Sequence, residues 1–180
     1  MLKVPSATLA AVHRVARHGR SPADAATLIR EMGYASGEGF LSAFGDWLEH
    51  HRQEPGADPA SLGAEEFWHH LSAFFRSLGW GRLDFEQLHA GVGSIASSDW
   101  AEADAAGSGR QPACHFSTGM FADLLGRLVD ADMAVMEVAC RARGDDSCRF
   151  LLGGAEALEQ VFHGMREGRD ATEVARALAV

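Results

Sequence analysis

Positive charge is scarce in this 180-residue chain: 16 lysines and arginines face 25 aspartates and glutamates, a formal net charge of −9 with a pI near 5.4. A nucleic-acid binder needs a basic face to displace counterions from phosphate, so no nucleic-acid partner is expected. Long apolar runs are also missing. Nothing approaches the roughly 18 residues that cross a bilayer, and no membrane span is expected. Cysteine is rare, and the count of three is odd. An odd number fits no closed disulfide framework and points to a reducing, cytoplasmic setting. Catalytic signatures are absent too: there is no Gly-x-Ser-x-Gly and no P-loop, and Gly91-Val92-Gly93 lacks the helix that a dinucleotide fingerprint requires. No enzymatic activity is expected. The chain has no internal repeat and no low-complexity tract.

What remains is ordinary globular material, 47% hydrophobic and 23% charged, of a length that suits a single domain over residues 1–180. The first twenty residues carry Lys3, Arg14, Arg17 and Arg20 and no acid, as an organellar transit peptide would. Leu9, Val12 and Ala16, however, recur at helical spacing and read as an amphipathic first helix. Ser21-Pro22 opens a second helix as N-cap and first-turn proline. Leu28, Met32, Phe40, Leu41, Phe44 and Leu48 mark its buried stripe, with Gly33 and Gly37 four apart on the same helix and Gly39 close by. A helical glycine costs roughly 1 kcal/mol against alanine, so close approach to a neighbour or ligand is expected there.

Residues 54–63 read as a loop and 64–78 as a helix presenting Phe67, His70, Leu71, Phe74, Phe75 and Leu78, ended by Gly79-Trp80-Gly81. The period then changes. Residues 83–88 and 92–100 read as paired strands, and 103–112 as a flexible linker. Residues 114–129 form an apolar helix, 133–141 and 147–152 a second hairpin turning at Gly144-Asp145-Asp146, and two short helices follow Gly154, the second opening at Asp170. The expected architecture is α+β: a helical part over 1–79, a hairpin–helix–hairpin part over 80–153, and C-terminal helices over 154–180.

The chemistry concentrates in VMEVACRARGDDSCRF, residues 135–150, and in PACHF upstream of it. Cys114, Glu137, Cys140 and Cys148 make a possible set of three thiolates and one carboxylate, which suits zinc. Four protein ligands leave no open position, so such a site stabilises the fold rather than catalysing. In a regular strand Glu137 and Cys140 point to opposite faces. Both reach one metal only if a bulge intervenes near Val138 or Ala139. Three thiolates, a carboxylate and Zn²⁺ leave net negative charge, and Arg141, Arg143 and Arg149 stand among the ligands to offset it. The other reading makes the cysteines small buried hydrophobes and leaves Glu137 facing solvent.

The stretch from Cys114 to Phe150 resembles the V4R (4-vinyl-reductase) domain family: a cysteine, a Gly-containing apolar helix (Gly119), Glu137-x-x-Cys140, a turn at Gly144-Asp145, and Cys148-x-Phe150. In the related sensor domains of phenol-responsive bacterial activators the matching residues bind structural zinc, and the resemblance implies that role for Cys114, Glu137, Cys140 and Cys148. It extends over about residues 80–153, with GYASGEGF compatible with the helical start. One departure is Asp123, where many relatives carry a second glycine. No ATPase or helix-turn-helix module follows within the 180 residues, so the chain is not itself expected to be such an activator.

Such domains are associated with binding small hydrophobic or aromatic molecules and with an accessory role in bacteriochlorophyll synthesis. Their fold resembles the dimerising, acyl-binding TRAPP subunits. The resemblance therefore implies a bacterial ligand-binding or sensor domain, a homodimer, and possible docking to a separate effector protein. Alternatives are a tetrapyrrole accessory protein or a dimerising scaffold. Pocket material is present: His70, Phe74, Trp100, Phe116 and Met120 are the candidate ligand-binding residues, with Phe67, Trp80, Phe85, Met133 and Met136 beside them. They predict an enclosed apolar cavity between helix 64–78, hairpin 83–100 and helix 114–129. His70 is the candidate polar contact, although a histidine on an apolar face is also a common satisfied core residue. His50-His51 and His69-His70 are adjacent pairs, which on a helix diverge by about 100° and do not suit one metal. His115 is an alternative to Glu137 as ligand, against which the family pattern argues.

Overall fold

The computed structural model describes residues 6–178, with side chains from residue 8 onward. Lys3 of the basic N-terminal stretch lies outside the described residues. Eight α-helices and four strands are present among them: α1 (Ser6–Arg17), α2 (Pro22–Tyr34), α3 (Gly37–Arg52), α4 (Ala64–Leu78), β1 (Asp84–His89), β2 (Val92–Ser97), α5 (Ala101–Ala106), α6 (His115–Val129), β3 (Ala134–Ala139), β4 (Cys148–Gly153), α7 (Ala155–Arg166) and α8 (Ala171–Arg176). The mixed α+β class agrees with the sequence reading. Ser21 caps α2, its hydroxyl oxygen accepting from the Asp24 N–H at 3.2 Å. Gly79, at φ 80°, ends α4 in the left-handed conformation that glycine takes without steric cost.

The sheet is antiparallel throughout, in the order β1-β2-β4-β3. Its inner strand β4 joins the two hairpins by pairing with β2, from Val92 opposite Gly153 to Ser97 opposite Cys148. Side chains alternate across β4. Phe150 and Leu152 enter the large core between the sheet and α3, α4 and α6, while Leu151 enters a smaller core beneath α7 and α8 with Val92, Leu158, Val161 and Val174. The large core is an aromatic cluster. Phe44, Phe74, Phe75, Trp80, Trp100, Phe121 and Phe150 are all at or below 1% exposure. Their rings meet at 5.3–6.4 Å, mostly edge to face, the geometry that their quadrupoles favour.

Several expectations are corrected. The stripe over 28–48 is not one helix, because the chain breaks at Ala35-Ser36. Gly33 and Gly37 therefore sit on different helices, although both approach α6 closely. A Cβ on Gly33 would lie 2.0 Å from the Phe116 carbonyl oxygen, and one on Gly119 would lie 2.0 Å from the Arg30 carbonyl oxygen, so α2 and α6 touch backbone to backbone. Gly37 accommodates the Asp123 side chain, whose Oδ2 would stand 2.5 Å from a Cβ there. Gly39 faces open space. Met32 is exposed, and Ala25, Ile29 and Gly33 form the buried face of α2. Trp100 precedes a helix rather than ending a strand, and residues 103–106 of the expected linker belong to that helix, α5.

Candidate metal centre

The three segments bearing the candidate ligands meet where the second hairpin folds over the start of α6. Cys114 is the residue before α6, close to the partial positive charge of the helix N-terminus. Glu137 lies on β3, whose register against β4 shifts between Glu137 and Ala139. That bulge turns Glu137 and Cys140 to the same side. Cys148 opens β4. The loop between them is held by Asp145, whose Oδ2 accepts from the Cys140 N–H at 2.7 Å and pairs with Arg143 at 2.6 Å.

The four ligand atoms lie within 4.8 Å of one another. The Cys114 sulfur is 3.8 Å from those of both Cys140 and Cys148. A tetrahedron with zinc–sulfur bonds of about 2.3 Å has edges of about 3.8 Å, so Cys114 already stands from each of the other two sulfurs at the separation that zinc requires. All three cysteines are free and fully buried. Glu137 Oε2 accepts from the Cys114 N–H at 2.9 Å, while its Oε1 is buried without a hydrogen-bond partner. An orphaned buried carboxylate oxygen is costly, and a cation would relieve that cost. The donor set, spacing and orphaned oxygen all fit one zinc ion. His115 does not belong to the group.

Without a cation the set is electrostatically crowded. Burial, together with the neighbouring Cys140 sulfur, pushes the Glu137 carboxyl up to about 9. Contacts with the Cys140 and Cys148 sulfurs hold the Cys114 proton far above the usual thiol range. Hydrogen bonds from Cys114 and Cys148 hold Cys140 well below it. Cys148 is pushed up to about 12: its bond with Cys114 pulls down, but contact with Cys140 and burial outweigh it. Of the arginines expected to offset the site, Arg141 pairs with Asp104 at 3.2 Å and Arg143 with Asp145.

Other expected site residues fall in two places. Phe74, Trp100 and Met120 have no exposed surface and fill the aromatic core, while Phe116 is partly buried against it. His70 is half-buried beside Trp47 and His51, its Nε2 3.7 Å from Glu66 and its Nδ1 unpartnered. The open apolar space lies further along, in a slot of about 500 Å³ lined by Phe67, Trp68, Phe85, Leu125, Leu128 and Met133.

One feature of the site escaped sequence reasoning altogether. Glu102, on α5, is completely buried. Its Oε1 takes hydrogen bonds from His13 Nε2 and the Phe116 N–H, both at 2.9 Å, and its Oε2 from the Ser117 N–H at 2.8 Å and the Ser117 hydroxyl. This carboxylate accepts from the first-turn N–H groups of α6 and ties that helix to α1. Its only local signal is an acid in an alanine-rich stretch.

The comparisons agree with this picture. The V4R domain family model matches residues 95–153, which include all four clustered side chains. Among solved structures, the phenol-responsive sensory domain of the transcription activator PoxR, solved with phenol, has a TM-score of 0.67 at 18% identity, over 99% of this chain and 85% of that one. A trafficking protein particle complex subunit 3 from Naegleria fowleri, covalently bound to palmitic acid, has a TM-score of 0.62 at 15% identity, over 82% of this chain and 93% of that one. These likenesses speak for the fold. Among curated proteins, the bacteriochlorophyll synthase 23 kDa chain of Cereibacter sphaeroides is 31% identical over 164 residues, 83% of this chain and 70% of that protein. Fold, residue pattern and this long alignment converge: the chain belongs to the V4R domain family.

Proposed function

We propose that this chain is a zinc-stabilised, non-catalytic domain that binds a small hydrophobic or aromatic molecule and passes that occupancy to a partner protein. The carrying observation is that four clustered ligand atoms and an open apolar slot lie toward opposite ends of the same elements, α6 and the β3–β4 hairpin. Cys114, Glu137, Cys140 and Cys148 would fill a tetrahedral zinc shell and leave no position for water or substrate. Bound zinc would cross-link the start of α6 to the turn of the second hairpin. The slot draws Leu125 and Leu128 from α6, and Met133 and Leu152 from the chain around β3 and β4. Metal and ligand would then communicate through the stability of shared elements rather than by contact. The ligand-bearing structural neighbours, one with phenol and one with palmitic acid, support a binding role for the fold.

A second reading, an accessory role in bacteriochlorophyll synthesis, is favoured by the 31% identity to the synthase chain. It is compatible with the first if the bound molecule is a pigment precursor. The test is thermal denaturation of zinc-loaded protein with palmitate and with phenols. The proposal expects a saturable rise in Tm with at least one class, and it fails if neither moves Tm while zinc remains bound.

A further inference from the structure

A second, larger cleft of about 1090 Å³ opens between α3, α4 and β1, and it is built differently from the apolar slot. Two half-buried tryptophans line it. Trp47 stacks on His51 at 4.4 Å and 14°, and Trp68 stacks on Phe85 at 4.3 Å and 9°. Gly93 makes room for this second stack, since a Cβ there would lie 2.7 Å from the Phe85 ring. Trp68 and Phe85 also line the apolar slot, so the stacked pair is the common wall of the two spaces.

Charge is distributed unevenly along the cleft. Arg76, in the last turn of α4, and Arg82, after the helix, line it at one end, and Glu65 lines it at the first turn. Eleven residues of helix, about 16 Å, separate Arg76 from Glu65. Arg82 is paired with Asp84 at 3.1 Å, whereas Arg76 has no ion pair among the described residues. Arg76 stands eight residues, about 12 Å, from the dividing Trp68. That distance suits a large flat ring system rather than a single phenyl ring.

We infer that the cleft is a head-group subsite for a broad, planar aromatic acid, its ring system against Trp47 and Trp68 and its carboxylate at Arg76 and Arg82, with any hydrocarbon tail passing the Trp68–Phe85 wall into the slot. The inference deepens the ligand-binding reading above and depends on it only for the tail. Half-buried tryptophans supply wide rigid faces at low entropic cost, and guanidinium groups match carboxylate geometry. The ligand class is an amphipathic polycyclic carboxylic acid.

The test uses metal-free protoporphyrin IX, its dimethyl ester and palmitate as probes, followed by tryptophan fluorescence. Trp47 and Trp68 line the cleft and Trp80 and Trp100 lie in the core, but a porphyrin accepts excitation energy from all four, so quenching reports binding and the variants locate it. Protoporphyrin IX is expected to quench saturably, and exposed-residue variants Arg76→Glu and Arg82→Glu together to weaken it roughly tenfold. The ester is expected to bind those variants as it binds the parent. No saturable quenching, or an acid affinity unchanged by the double variant, overturns the inference. Palmitate binding with no porphyrin binding overturns it while leaving the slot intact; porphyrin binding without palmitate supports it and removes the slot.

Discussion

Glu102 is the residue whose replacement most directly tests the account of how the site is held. Its carboxylate accepts from four donors, His13 Nε2, the Phe116 and Ser117 N–H groups and the Ser117 hydroxyl, with no exposure to water. Glu102→Gln preserves shape but turns an NH₂ group toward two of those donors. Two buried donors then lose their acceptor, at roughly 1–3 kcal/mol each. A net loss of about 2–4 kcal/mol is expected, corresponding to a fall in Tm on the order of 10 °C for a chain of this size. Glu102→Ala removes all four acceptors and should cost more, about 3–5 kcal/mol. Urea denaturation followed by circular dichroism measures both. Because the same carboxylate caps α6, which Cys114 immediately precedes, the Gln variant should also bind zinc more weakly. A Gln variant within 0.5 kcal/mol of the parent would refute the claim that this buried acid organises the N-terminus of α6.

Other consequences are independent of that carboxylate. Gly33→Ala and Gly119→Ala each place a Cβ 2.0 Å from a carbonyl oxygen that cannot step aside, and each should destabilise by roughly 3 kcal/mol or more, whereas Gly39→Ala, facing open space within α3, should be neutral or stabilise by up to about 1 kcal/mol in the same denaturation assay. Cys148→Ser should lower Tm and make the parent's resistance to chelators disappear, since metal binding and folding are linked at a structural site. Zinc affinity should rise with pH. Glu137, raised to about 9, and Cys148, raised to about 12, hold their protons at pH 7, so the metal must displace them and acidification favours the protons. Calorimetry in buffers of different ionisation enthalpy should show more than one proton released per zinc.

Local patterns were readable in the sequence where local physics decided the outcome. Helix 64–78 was delimited to the residue, because its apolar spacing and the Gly79 terminator agree. The bulge near Val138 followed from requiring Glu137 and Cys140 to face one point, and the register shift falls there. Non-local choices were not readable. Nothing near Glu102 announces that α1 and α6 will enclose it, so its alanine-rich surroundings read as a linker. Gly33 and Gly37 read as close-approach positions, yet the break at Ser36 that assigns them to two helices depends on packing against α6. The aromatic residues were correctly gathered around α4 and α6. Sequence spacing does not tell interlocked side chains from side chains that border a void, and Phe74, Trp100 and Met120 are of the first kind.

The claim that organises the rest is that three sulfurs and one carboxylate hold zinc. Native mass spectrometry of protein purified without added metal, followed by zinc-edge X-ray absorption on the same sample, measures it directly. The account predicts one zinc per chain, three sulfurs at about 2.3 Å and one oxygen at about 2.0–2.2 Å. A metal-free chain that gains no stability from added zinc, or a bound zinc with fewer than three sulfur neighbours, would contradict it.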